Sequence, residues 1–143
     1  MEIPFAGGCA CGAVRFQCNV APMAMYNCHF SGCQSASGSL FASLLVMPAD
    51  RISSSGRQQH FSRSVEGERH DQHAFCPTCG SPLFAACDAV PHLSLVHAVA
   101  LDNPVWFSPV ADIWTVDARP WAPMDRHIPK VYKAPPLLGN QCL

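Results

Sequence analysis

Alternation of apolar and polar residues over short stretches predicts a chain built mainly from β-strands. Between residues 13 and 18, Val14, Phe16 and Cys18 fall on one face and the residues between them are polar. This alternation is typical of a half-buried strand. Cys18 therefore points to the core, where we expect it to act as a small apolar side chain.

Further strands are predicted where apolar runs lie between turn signals. They cover residues 22–26, 40–47, 58–62, 82–87, 93–101 and 110–116, with 58–62 at the edge of a sheet. Residues 28–39 are small and polar, which is typical of a turn or a single helical turn ended by Gly38. Residues 53–56 and 101–104 are predicted to be turns. The pattern therefore predicts an antiparallel β protein with at most one or two helical turns.

The C-terminal segment, from about residue 118, contains five prolines. Proline has no amide hydrogen and breaks helices, so we expect this tail to wrap the surface in an extended conformation. The whole chain, residues 1–143, is sized for one domain.

Composition narrows the range of partners. Charged residues make up 13% of the chain and apolar residues 49%, so we expect some surface to be hidden in a homodimer or a ligand groove. The net charge of −1 and the two lysines provide no basic patch for a nucleic-acid backbone. The longest apolar stretch, residues 41–47, is too short to span a membrane, and the N-terminus lacks a secretory signal. We expect a cytoplasmic protein that binds neither nucleic acid nor membranes.

Two cysteine pairs in distant parts of the chain have the spacing of metal ligands. Cys9 and Cys11 are two residues apart, so an extended backbone turns both side chains to the same side. Cys76 and Cys79 flank a Pro-containing knuckle that turns both of them inward. Two thiolate pairs complete a tetrahedral four-sulfur zinc site. We interpret these four cysteines as a structural zinc site, contributing on the order of 10 kcal/mol to folding.

Two disulfides or four unrelated buried thiols are the alternatives to this zinc site. The cysteine count of nine is odd, and without a secretory signal an oxidising compartment is not indicated. Paired cysteines in a reducing compartment favour a metal over disulfides.

Cys28 and Cys33 form a further thiol pair next to His29. An open zinc with three protein ligands would leave one position for a substrate thiolate or water. Phe30, in the middle of this run, cannot ligate a metal, and an extended backbone would turn His29 away from Cys28. A second zinc on Cys28, Cys33 and His29, a thiol pair without metal and a reversible disulfide all stay open.

The remaining candidate side chains have weaker signals. We expect His70 and His73 to be solvated loop histidines and His97 to be a hydrogen-bonded core residue. The three tryptophans are expected to pack in the β domain. Three cations could hold the carboxylates of an anionic thiol ligand, namely Arg69, Arg119 and Arg126.

Taken together, these motifs resemble the glutathione-dependent formaldehyde-activating enzyme family, also called the GFA or CENP-V/GFA domain. The resemblance is based on the following stretches: residues 8–16, 28–39, 75–83, 101–104, 113–114 and 120–121. It implies coiled antiparallel sheets and a structural zinc on Cys9, Cys11, Cys76 and Cys79. It also implies a second zinc on a Cys-His-Cys-x-x-Cys run, whose outer cysteines correspond to Cys28 and Cys33. Phe30 takes the place of the central cysteine and removes one of three thiolates.

The resemblance implies a chemistry as well. The open zinc of the family would bind the thiolate of glutathione beside formaldehyde to form S-hydroxymethylglutathione, a carbon–sulfur lyase type of reaction. Our first hypothesis is a GFA-like zinc protein acting on a small thiol adduct, with Cys28 and Cys33 in the catalytic site. The second is a non-catalytic, zinc-stabilised domain that binds a ligand or partner. The third is a thiol redox protein that uses Cys28 and Cys33, and it is disfavoured because these two cysteines do not have the Cys-x-x-Cys spacing of that chemistry.

Overall fold

The part of the chain that the structure describes folds into two β-sheets and one short α-helix. The computed structural model describes residues 1–65 and 69–139. The elements in these ranges are β1 (Phe5–Gly8), β2 (Arg15–Cys18), β3 (Ala24–Cys28), α1 (Ser31–Ser37), β4 (Ala42–Pro48), β5 (Ile52–Ser55), β6 (Gln59–Val65), β7 (Arg69–Phe75), β8 (Pro82–Cys87), β9 (Leu93–His97) and β10 (Ala111–Ile113).

The smaller sheet has three strands in the order β1-β2-β5, and the larger has seven in the order β10-β3-β4-β9-β8-β7-β6. Neighbouring strands run antiparallel except β10 and β3, which pair in parallel with Ile113 opposite Cys28. The mainly β fold predicted from the sequence is confirmed. Strand β6 lies at the edge of the larger sheet, as predicted.

Strand β4 is buried on both faces because a hydrophobic core lies on each side of it. Leu45 and Met47 belong to a core shared with β1 and β2, which fills the space between the two sheets. Leu44 and Val46 belong to a second core on the opposite face, together with Cys33 of α1. Burial on both faces explains the continuous apolar run of this strand.

Local structure differs from the sequence-based expectation at several points. The prediction of a turn at residues 53–56 is wrong, because Ile52–Ser55 forms β5 and pairs with β2. The turn comes at Gly56, whose φ is 91°. Strand β9 ends at His97, and residues 98–100 form a 3-10 turn. The predicted helical turn is α1, and Gly38 ends it in the left-handed conformation with φ 66°.

The C-terminal tail contains no α-helix or strand between residues 118 and 139, and Leu138 is fully buried in the second core. Residues 140–143, including Cys142, lie outside the described residues, as do residues 66–68 and the side chain of Arg69. No helix in the described ranges is long and apolar enough to cross a membrane.

Candidate metal centre and adjoining cavity

The first cysteine pair lies on the loop that joins β1 to β2. The amide of Cys9 donates to the carbonyl of Val14 at 3.0 Å, and the amide of Gly12 donates to the carbonyl of Cys9 at 3.0 Å. Gly12 has φ 79°, a conformation that favours glycine over other residues. These contacts make a tight loop that presents both thiols on one side.

The second pair lies on the knuckle between β7 and β8. The amide of Cys76 donates to the carbonyl of Ser81 at 3.0 Å, and the amide of Gly80 donates to the carbonyl of Cys76 at 2.8 Å. The amide of Ala10 donates to the hydroxyl of Ser81 at 3.0 Å. This last bond joins the two cysteine loops directly.

The four sulfurs converge as predicted. The Sγ atoms of Cys9 and Cys11 are 3.5 Å apart, those of Cys11 and Cys76 are 3.7 Å apart, and all four, including that of Cys79, lie within 4.8 Å of one another. Four sulfurs at a zinc–sulfur distance of about 2.3 Å would be separated by about 3.8 Å, so the cluster fits a tetrahedral metal. In the described part of the chain, no other set of three or more histidine, cysteine or acidic side chains meets this distance.

Local donors and mutual repulsion act on these thiols in opposite directions. The amide of Val14 donates to Cys9 Sγ at 3.2 Å and lowers the pKa of Cys9. Ser81 lowers the pKa of Cys79 to about 5. For Cys11, the lowering effect of the Ala13 amide is outweighed by the neighbouring thiols and by burial, which raise its pKa to about 11. Four adjacent thiolates repel one another unless a cation lies between them, so this arrangement favours a bound divalent metal.

Cys28 and Cys33 are brought together but are both buried. Cys28 ends β3 and Cys33 lies in α1, with exposed fractions of 0% and 2%. The adjacent Cys28 thiol raises the pKa of Cys33 well above its ordinary value, and burial adds to this effect. The adjacent thiol and burial thus disfavour the ionised form of Cys33.

The side chain of His29 lies against Asp112 and Phe41. Its Nε2 atom is 3.5 Å from Oδ1 of the buried Asp112, and its ring centroid is 5.1 Å from that of Phe41. The structure does not assemble His29 with Cys28 and Cys33 into a three-ligand set, so these residues do not fit a second zinc as they are placed. That zinc stays a prediction.

The side chain of Phe30 is covered on two sides. Its ring centroid lies 5.0 Å from that of Trp114, and the guanidinium carbon of Arg63 lies 5.0 Å from the same ring. The guanidinium also lies where a Cβ atom of Gly32 would be. The cation–π contact with Phe30 thus holds Arg63 against α1, and the absence of a side chain at Gly32 leaves room for its guanidinium.

A cavity of about 470 Å³ opens between α1, β6, β7 and the cysteine knuckle. Its lining includes Gly32, Ser35, Phe61, Arg63, His73, Phe75, Gly80 and His97. Neither Cys28 nor Cys33 is among the lining residues. Arg63 has no local signal in the sequence, since only the pairing of β6 with β7 brings this strand residue to the cavity.

The two histidines of this cavity are neutral at pH 7. The prediction that His73 is a solvated loop residue is wrong, because His73 lies on β7 and only 7% of it is exposed. Burial lowers the pKa of His73, and the charge of Arg63 lowers it further. His97 is buried as predicted, and burial lowers its pKa to about 4. His70 is exposed as predicted, but it lies on β7 rather than in a loop.

The other predicted cations lie elsewhere. Arg119 donates from Nε to Oε1 of Gln34 at 3.0 Å, which fastens α1 to the chain after β10. Arg126 is exposed and donates to His127 at 3.5 Å. Among the tryptophans, Trp106 packs on Phe5 at 5.0 Å between ring centroids and Trp114 packs on Phe30. The prediction that the tryptophans pack in the domain is wrong for Trp121, which is 71% exposed.

The sheets and the sulfur cluster together define a β domain with four cysteines positioned to bind a metal ion. A sequence model of the family described as glutathione-dependent formaldehyde-activating enzyme (GFA) matches residues 4–117, more than half of the chain. The chain therefore belongs to the GFA family. The fold is similar to that of a Rhodobacter sphaeroides protein solved by crystallography, with a TM-score of 0.58 and 15% identity over 88% of this chain and 99% of that one.

Proposed function

We propose that this chain is a GFA-family protein in which a single zinc has a structural role and the 470 Å³ cavity binds a small thiol adduct. In this proposal the zinc-assisted carbon–sulfur chemistry implied by the family resemblance is absent. The observation that carries the proposal is the placement of Phe30, covered by Trp114 and Arg63, where the family motif has a thiolate.

The structural zinc would be held by Cys9, Cys11, Cys76 and Cys79. When bound, the ion neutralises the thiolates and cross-links two loops that are otherwise joined by the bond from Ala10 to Ser81. Small β domains gain a large part of their stability from such a cross-link.

The burial of the second thiol pair argues against a reacting metal. Cys28 and Cys33 are almost fully buried, and neither lines the cavity. A thiolate that activates a substrate has to be ionised and within reach of it. Both thiols are buried and lie outside the cavity lining, so neither is within reach of a substrate held there.

The lining of the cavity is suited to binding a small molecule without catalysing a reaction. Phe61 and Phe75 provide apolar contact, while Arg63 and the neutral His73 provide polar groups at one side. A concave, partly apolar site with a few converging polar groups is typical of small-molecule binding. A glutathione adduct is the ligand class that the family name suggests.

Restoring the missing cysteine gives a direct test. We expect the wild-type protein to contain one zinc per chain and to leave the rate of S-hydroxymethylglutathione formation from glutathione and formaldehyde unchanged, while binding S-methylglutathione in calorimetry. The Phe30→Cys variant restores three thiolates and should bind a second zinc. Two zinc ions in the wild type with an accelerated reaction, or no binding of S-methylglutathione, would contradict the proposal.

Carbon–sulfur lyase activity is the second candidate function. It is favoured by one observation, the proximity of the Cys28 and Cys33 thiols, which correspond to the outer ligands of the family motif. If it is correct, the wild type accelerates adduct formation and Cys28→Ser abolishes the acceleration. Cys18→Ser, at a buried cysteine of the other core, is the matched control and should retain it.

A further inference from the structure

Arg63 is held in one place by two contacts on α1 and its flank. Its guanidinium carbon lies 5.0 Å from the centre of the Phe30 ring, and the guanidinium occupies the space beside Gly32 that a larger residue would fill. A guanidinium over an aromatic face loses little freedom when it then binds a ligand. Arg63 is thus positioned before any ligand arrives.

The donors of this guanidinium have no partner in residues 1–65 and 69–139. The described structure contains no hydrogen bond or ion pair from Arg63 to another side chain or carbonyl, whereas Arg15 pairs with Asp102 and Arg119 bonds to Gln34. An arginine carries five N–H donors in a planar fork. These donors are available to a molecule in the cavity.

His73 provides a second polar atom without a partner. Its Nδ1 atom is buried and makes no hydrogen bond within the described residues, and the side chain lines the same cavity. A buried polar atom without a hydrogen-bond partner is unfavourable. A ligand or water that bonds to Nδ1 would remove this cost.

We propose that Arg63 is an anion-binding residue and that the cavity takes a small molecule bearing a carboxylate or phosphate oxyanion. Both groups match the planar donor fork, which can form two parallel charge-assisted hydrogen bonds. His73 then bonds to the same group or to its neighbour, and Phe61 and Phe75 contact the apolar part. This ligand class rests on the proposed function, because it concerns the same cavity.

The geometry also gives Phe30 a role. The ring that replaces a thiolate supports a guanidinium instead, so the site has a fixed organic cation at the flank of α1. An oxyanion therefore gains attraction at this site without any metal.

Calorimetric titration with three probes of similar shape tests the proposal. Benzoate and phenyl phosphate carry the two oxyanions, and benzamide is a neutral match for benzoate. We expect the wild type to bind at least one anion with a Kd of about 1 mM or tighter and to bind benzamide at least about 10-fold more weakly, a loss of about 1.4 kcal/mol. Comparing benzoate with phenyl phosphate shows which oxyanion is preferred.

Two variants test separately whether binding needs the charge of Arg63 and whether it needs the guanidinium at this position. Arg63→Gln removes the charge and should weaken anion binding at least about 10-fold, while Arg57→Gln, an exposed arginine outside the cavity, should not. Gly32→Ala keeps the charge but displaces the guanidinium, and alanine favours the helix, so it should also weaken binding. Circular dichroism and zinc content check that each variant folds.

Three results would overturn the proposal: no saturable anion binding by the wild type up to about 10 mM, equal affinity for benzoate and benzamide, or unchanged anion affinity in Arg63→Gln. The adduct-formation assay and the zinc content per chain report on the proposed function alone, whereas benzoate, phenyl phosphate and benzamide report on the anion site. A failure of either proposal is thus recognised separately.

Discussion

Replacement of Cys76 by serine is expected to unfold the protein. Cys76 is fully buried, and its sulfur lies 3.7 Å from that of Cys11. It lies on the knuckle between β7 and β8, which faces the cysteine-containing loop between β1 and β2. Serine is a poor zinc ligand, so the variant loses the cross-link between the two loops.

The expected loss of stability is comparable to the total stability of the fold. Structural zinc contributes on the order of 10 kcal/mol in small zinc-binding peptides, whereas a domain of this size has a total stability of about 5–15 kcal/mol. Loss of most of the zinc contribution leaves little or no net stability. We therefore expect Cys76→Ser to be unfolded or molten at 25 °C, rather than folded with a slightly lower melting temperature.

Urea unfolding followed by circular dichroism measures the effect. Cys18→Ala is the matched control, because Cys18 is also fully buried in the same core but lies outside the metal cluster. Its expected cost is about 1 kcal/mol. A Cys76→Ser variant with a native spectrum and the unfolding midpoint of Cys18→Ala would refute the cross-linking role of the cluster.

Two further predictions concern the tail and a buried histidine. Leu138→Ala should lower the free energy of unfolding by about 2–5 kcal/mol, because Leu138 is fully buried in the second core and its loss leaves a cavity; a loss under about 1 kcal/mol in urea unfolding would show that the tail is not docked. His97 has a folded-state pKa of about 4, below its unfolded value, so its contribution to stability is present above pH 6.5 and is lost as the pH falls toward 4. Across that window the wild type should lose up to about 3 kcal/mol more than His97→Gln, and parallel pH profiles of the two proteins would contradict this.

Local signals in the sequence were sufficient for the metal site. The pairs containing Cys9 and Cys76 each lie within a few residues, so the spacing alone predicts that their thiols point the same way. The mainly β fold and the end of α1 at Gly38 also follow from local pattern and turn chemistry.

The cavity, strand β5 and the docking of the tail depend on contacts between distant parts of the chain, which the sequence does not reveal. Arg63 and His73 face the cavity because β6 pairs with β7, with Phe61 opposite His73, and a polar, histidine-containing segment gives no sign of which face is buried. Ile52–Ser55 forms a strand only because β2 offers it an edge, which outweighs the turn preference of serine. Burial of Leu138 depends on where the tail returns to the second core.

The direct test of the central claim is zinc K-edge X-ray absorption on the wild-type protein with metal quantified per chain. The claim of one structural zinc on Cys9, Cys11, Cys76 and Cys79 predicts one equivalent of zinc and a first shell of four sulfurs at about 2.3 Å. A second equivalent, or a shell containing nitrogen or oxygen, would contradict it.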